Sequence, residues 1–169
     1  MVRRQINTEE LHELYALIGE GIWHLQNVED ALHTYLTIKR DVKIRGSMPS
    51  AQAEAILSKH RRNTLGTSLK ISREGQILGP SLQDRLDAFK EERDWLVHRS
   101  VHQYREDLYV DDKRFALMRR IQMFSEEAMT LQKLIAKELE DYVVAQGVSR
   151  EWIYRYAEDR INKLKGEEP

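Results

Sequence analysis

Residues 7–36 read NTEELHELYALIGEGIWHLQNVEDALHTYL, and a single apolar seam runs through them. Leu11, Leu14, Ile18, Ile22, Leu25, Val28, Leu32 and Leu36 recur three or four residues apart, the period of one helix face. Asn7 with Glu10 three residues later forms a capping box: the amide oxygen accepts a backbone N–H, and the glutamate answers it. The pattern predicts one helix running to about residue 44, roughly 50 Å long at ~1.5 Å per residue. That is longer than a compact domain of this size needs, so the helix protrudes, bends or pairs with another long one. Gly19 and Gly21 mark the expected place for a bend or a close helix contact.

A second long seam follows later, with Leu117, Ile121, Phe124, Ala128, Leu131, Ile135, Leu139 and Tyr142 on it. Asp111 or Asp112 is its expected cap and Gly147 its end, and Ser149 caps a last helix, SREWIYRYAEDRINKLKG. The three prolines, Pro49, Pro80 and Pro169, fall at boundaries. Between the long helices the chain predicts a short helix over about 50–62, then a helical turn and loop in TLGTSLKISREGQILGP. PSLQDRLDAFKEERDWLVHRSV is a well-marked helix, capped by Ser81 with Asp84, and QYREDLYVDD breaks the pattern. No strand-like alternation and no internal repeat is present. The expectation is an all-α, antiparallel bundle of about five to six helices. Residues 1–147 would form the bundle, and 148–169 a C-terminal helix packing on it or on a dimer partner.

Composition narrows the function classes. Hydrophobic residues make up 41% of the 169 and charged residues 33%, with a mean hydropathy of −0.64, the profile of a soluble helical protein. No apolar run approaches the ~20 residues of a membrane span. The start MVRRQINTEEL has no apolar stretch behind its arginines, so it does not read as a signal peptide, and a cytoplasmic protein is expected. The absence of cysteine excludes disulfides, thiol nucleophiles and thiolate metal sites. A net charge of −1 supplies no global attraction for nucleic acid, so any RNA contact must be local.

The chemistry-bearing stretch is KEERDWLVHRS, residues 90–100. Leu82, Leu86, Phe89 and Leu96 set an apolar phase on which Arg93 falls, and a buried arginine must find an acceptor. On a regular helix His98 lies about 140° round and ~7.5 Å along from Arg93, so the two side chains can converge on one ligand. Asp94, one turn before His98, is placed to orient the imidazole, and Trp95 with Arg99 suits a cation–π contact. Histidine titrates near neutral pH and can move protons at a ribose hydroxyl or a leaving oxygen. Arginine's fork matches phosphate oxygens. One such pair is too few groups for both proton transfers, so the mechanism calls for two copies face to face.

ERDWLVHR on such a helix, with the long GEGIWHLQNVEDALHTYL helix before it, resembles the HEPN superfamily, small all-α proteins with an Arg-polar-x-x-x-His motif. The resemblance covers residues 8 to 145, with the motif as its diagnostic part. It implies a HEPN-like bundle and a metal-independent endoribonuclease of the toxin–antitoxin or anti-phage kind, dimeric with the motif at the interface. Arg93 and His98 would be catalytic and Asp94 the polar motif residue, where asparagine is the commoner choice. Some relatives carry a tyrosine two residues after the histidine that an antitoxin modifies; this chain has Ser100 there. The implied partners are a second copy, RNA, and an antitoxin or operon partner; no membrane and no cofactor is implied.

Arg99 and the cluster Lys59, His60, Arg61 and Arg62 are candidate RNA contacts, the cluster reading equally as a solvated helix end. The last helix interleaves Trp152, Tyr154 and Tyr156 with Arg150, Arg155 and Arg160, a pattern for base stacking or for packing on the bundle or a partner. Glu9 with His12, and Asp30 with His33, have the carboxylate-x-x-His spacing of bundle metal sites but lie too far apart to share an ion, so no metal is expected. His24 reads as a hydrogen-bonded structural residue. The other function classes are a helical interaction module, with Arg93 as a structural ion-pair partner, and a nucleotide-binding domain that does not cleave.

Overall fold

The capping box forms as expected: Asn7 Oδ1 accepts the Glu10 N–H at 2.9 Å, and Glu10 accepts the Asn7 N–H at 3.0 Å. The computed structural model describes residues 3–44 and 46–166; the boundary read at Pro169 lies outside them. Helix α1 runs Thr8–Leu36 and loosens into a π-helical turn, Thr37–Val42. Then come α2 (Ser50–His60), α3 (Leu65–Gly75) and α4 (Pro80–Asp94). A second π-helical turn, Trp95–Arg99, leads into the short α5 (Ser100–Tyr104). A 3₁₀ turn (Asp107–Tyr109) precedes the long α6 (Asp111–Ala145), and α7 (Arg150–Lys165) follows. The fold is an all-α bundle; the one extended contact among the described residues is a single bridge between Arg3 and Val110.

The seam of α1 packs against that of α6, and the two long helices run in the same direction. Glu10 meets Arg114 near their starts, Gly21 abuts Phe124 and Ser125 midway, and Tyr35 reaches Glu138 near their ends. The antiparallel relation belongs instead to α4, which stacks Phe89 on Phe124 at 4.6 Å and pairs Arg85 with Glu127 and Glu92 with Arg120. Two long helices can lie parallel because four helices and their turns carry the chain back between them. Gly21, not Gly19, is the close contact. A β-carbon there would touch Phe124, Ser125 and Leu96 at 3.4–3.5 Å, whereas Gly19 faces open space.

Three local expectations are corrected. The stretch expected as a turn and loop is the three-turn helix α3, capped by Thr64, whose hydroxyl accepts the Thr67 N–H at 3.2 Å. Its buried face carries Ser68 and Ser72 beside Leu65 and Leu69, so its apolar period is broken while small residues let it sit close. Helix α4 starts at Pro80, which needs no N–H partner, and Ser81 makes no cap. Helix α6 starts after Val110 without a side-chain cap, because Asp111 is drawn into ion pairs with Arg114 and Arg4.

Ser149 does cap α7, accepting the Trp152 N–H at 3.1 Å. No residue of α7 is buried on its own bundle. It is tethered by Arg150 to Glu140 and Asp141, and by the Tyr154 hydroxyl to Glu140 at 3.0 Å. No helix of the described residues is long and apolar enough to cross a membrane.

Candidate functional site

Arg93 is the next-to-last residue of α4, and its apolar phase does bury most of it: 23% of the side chain is exposed. Its guanidinium donates from Nη1 to Asp94 Oδ1 at 2.9 Å, while Nε is buried without a partner. Glu29, half-buried on α1, lies within electrostatic reach of it. Burial pushes the Glu29 carboxyl up, against the pull of Arg93 and a hydrogen bond from the Leu65 N–H. One acid is thus shared and another is held at a cost, the arrangement of a cation only partly neutralised.

Asp94 does not orient His98. Its oxygens are taken by Lys90 at 2.8 Å and Arg93 at 2.9 Å, and these cations hold its pKa below the ordinary value, the Lys90 hydrogen bond first among the causes. Lys90 lies one turn before Asp94 and His98 one turn after, and the ammonium wins the carboxylate. The π-helical turn is the second reason, since it begins at Trp95 and removes His98 from the regular α-helical register. A π turn closes i→i+5 hydrogen bonds, here Ser100 N–H to the Trp95 carbonyl, and such turns recur at functional sites. His98 itself is exposed and makes no hydrogen bond among the described residues, with Val97 and Val101 exposed beside it.

The expected Trp95–Arg99 pair is replaced. Trp95 is buried, and the guanidinium of Arg120 on α6 lies 3.6 Å from its ring centre. Arg120 also grips Glu92 with two 2.9 Å bonds and donates to the Tyr104 hydroxyl at 2.9 Å. These contacts, led by the Glu92 hydrogen bond, raise its pKa further. Arg99 instead is exposed and reaches back to the Glu91 carbonyl at 3.3 Å. Ser100 is turned inward, donating to the Leu96 carbonyl at 2.7 Å. Arg120 therefore clamps both sides of the turn that carries His98.

The basic cluster divides. His60 is buried rather than solvated, bonded through Nε2 to Asp41 at 2.7 Å, with Nδ1 unpartnered. Arg61 is paired with Asp30 at 2.7 Å. Lys59 and Arg62 are exposed and make no ion pair among the described residues. His33 is buried against Ser68 at 3.1 Å, turned from the carboxylate spacing that suggested a metal; burial lowers its pKa. No group of three or more potential ligands converges among the described residues. His24 is not hydrogen-bonded as expected: Nε2 lies 3.6 Å from Glu20 and Nδ1 is buried alone.

A groove lies beside the turn that carries His98. It has a volume of about 230 Å³, runs between α1 and α5, and is lined by Tyr15, Ile18, Val101 and Leu108, with Ser100 and Arg105 at its edge. It is apolar. No family model matches this chain, and no curated protein or solved structure matches it.

Proposed function

We propose that the chain is a metal-independent endoribonuclease of the HEPN type, active in the cytoplasm as a homodimer and restrained by an antitoxin or operon partner. The observation that carries this reading is how the two motif residues, Arg93 and His98, are bonded and exposed. His98 is an unbonded, exposed imidazole rimmed by exposed Val97 and Val101, and Arg93, five residues before it, gives only Nη1 to a carboxylate. An apolar rim around a titratable group suits the approach of a second copy, which doubles the catalytic groups. One His98 takes the proton of a ribose 2′-hydroxyl as its oxygen attacks phosphorus. The P–O5′ bond breaks, and the partner's His98 gives a proton to the departing oxygen. Arg93 holds the non-bridging oxygens as their charge grows. The products are a 2′,3′-cyclic phosphate and a 5′-hydroxyl. Asp94 holds the Arg93 guanidinium instead of the imidazole, and Lys59, Arg62 and Arg99 are exposed for the RNA backbone.

One observation favours a second reading. The Arg93–Asp94 pair, with Lys90 on the other carboxylate oxygen, is also what a non-catalytic interaction module would use to satisfy a half-buried arginine. The test is digestion of mixed cellular RNA in EDTA by the wild type, His98→Ala and Arg93→Ala, with analysis of the new ends. Fragments ending in cyclic phosphate, lost in both variants, support the nuclease. RNA left intact by the wild type, or cut equally by all three, leaves the interaction module.

A further inference from the structure

Helix α5 and the π turn before it carry cations that the fold leaves without counter-charges. The inner face of α5 is committed to packing. Ser100, Val101 and Tyr104 line the groove against α1, and the Ser100 hydroxyl is spent on the Leu96 carbonyl. His98, His102 and Arg105 follow at steps of four and three, so they form one stripe beside that face, with Arg105 at the groove's edge. All three are exposed, and their side chains make no hydrogen bond or ion pair among the described residues. Arg99, next to His98, is exposed too and meets only the Glu91 carbonyl.

The acids on either side of this segment are engaged elsewhere. Glu91 and Asp94 bind Lys90 at 3.2 and 2.8 Å, and Glu92 binds Arg120. Asp107 binds Lys113 at 2.7 Å, and Glu106 faces Arg3 at 3.9 Å. Arginines elsewhere, among them Arg61, Arg73, Arg85 and Arg150, sit in ion pairs. On a chain of net charge −1 the stripe is therefore a local positive track, and it starts at the imidazole of the motif. Its spacing suits a row of phosphates. At ~1.5 Å per residue, His98 and His102 stand about 6 Å apart along the axis, close to the step between successive phosphates of a nucleic-acid strand. The Arg105 N–H bonds the Val101 carbonyl at 3.1 Å, so the helical phase carries on to Arg105, beside His102. A guanidinium fork and an imidazole N–H can then share one phosphate.

We infer that His102 and Arg105 hold the phosphate next to the one at His98, so that the RNA strand runs along α5. They position the strand and take no part in the proton transfers. The inference rests on the nuclease reading only for the identity of the ligand. Fluorescence anisotropy of the full chain with a labelled 2′-O-methyl RNA tests it, since that strand offers phosphates but no 2′-hydroxyl to attack. His102→Ala and Arg105→Ala are each expected to weaken binding about tenfold. Arg105→Ala is also expected to lower the slope of log K against log salt by about 0.7, the share of one phosphate on a single strand. Arg119→Ala, which removes an exposed arginine on α6, is expected to leave the affinity unchanged. Circular dichroism checks that each variant keeps its helices. A wild type that does not bind the strand overturns the subsite. So does binding that survives both α5 variants, or that Arg119→Ala weakens as much, and digestion of RNA by the wild type would then still uphold the nuclease. Binding that both α5 variants weaken, in a chain that leaves RNA uncut, keeps the subsite and removes the nuclease.

Discussion

Arg114 and Arg93 both fall on the buried phase of a helix, and the fold treats them in opposite ways. Arg114 is wholly buried. Its Nη1 donates to the Leu108 carbonyl at 2.8 Å, and Nη2 donates to Glu10 at 2.8 Å and to Asp111. Glu10 is in turn held by Arg4 and by its own helix cap, so the cluster ties the start of α1 to the start of α6. Arg93 has one carboxylate contact, shared with Lys90, and its Nη2 makes no hydrogen bond among the described residues; Nε is buried without a partner in both arginines. A guanidinium has five N–H donors, and what remains unsatisfied is what a ligand can use. The first cluster ties two helices together; the second leaves its cation with one shared carboxylate.

The comparison breaks most visibly at the anchor. Arg114→Ala removes the hub of a buried ion-pair network and leaves a void at a fully buried side chain. It is expected to cost about 3 kcal/mol. For a domain of this size that lowers the melting temperature by about 10 °C, read by circular dichroism. A drop of only a degree or two would show that Arg4 and solvent replace Arg114, and that its burial says nothing about anchoring.

Acid sharpens the comparison next, because the acidic neighbours of the two arginines titrate in opposite senses. The hydrogen bond from Arg4, then the Asn7 backbone, brings Glu10 down from 4.5 to about 2. A lowered folded pKa means its contribution is complete above about 4.5 and is lost as the pH falls toward 2. Glu29, beside Arg93, is raised by burial. Its contribution is complete below the unfolded carboxylate value and is lost as pH rises through the folded one. Urea midpoints measured from about pH 5 to pH 2.5 are expected to fall for the wild type and to fall less for Glu10→Gln. An equal fall in both would place the acid sensitivity elsewhere.

The rule that flagged Arg93 from its helical phase applies equally to Arg114, three residues before Leu117 and seven before Ile121 on the second seam. A seam that starts at Leu117 leaves out an anchor that the same periodicity places at Arg114. The local signals divide: Asn7 and Ser149 cap as expected and the apolar seams pack, while Ser81 and Asp111 make no cap. What was not legible is decided by tertiary contact. Lys90 and His98 are both one turn from Asp94, and nothing in the spacing says which takes it. The π turn at Trp95 lies where Arg120 of α6 sits on the indole, and α6 is out of sight of that local sequence. Nor can apolar phase tell that α1 and α6 run parallel, since that depends on how the helices between them route the chain.

The smallest expected effect on stability is the one that separates the two readings of the site. Arg93→Met keeps the length and apolar stem of the side chain while removing a charge whose single carboxylate contact is retained by Lys90. Replacing a poorly compensated, half-buried ion with an apolar group of similar volume is close to neutral, within about 1 kcal/mol either way. If Arg93 is held for a ligand, this variant melts within about 3 °C of the wild type and fails to cleave RNA. If Arg93 is a structural partner, the loss approaches that of Arg114→Ala, because Asp94 and Glu29 are left crowding a contact without their cation. Melting curves of the two variants in one buffer therefore distinguish a cation kept for function from one kept for the fold, before any RNA is added.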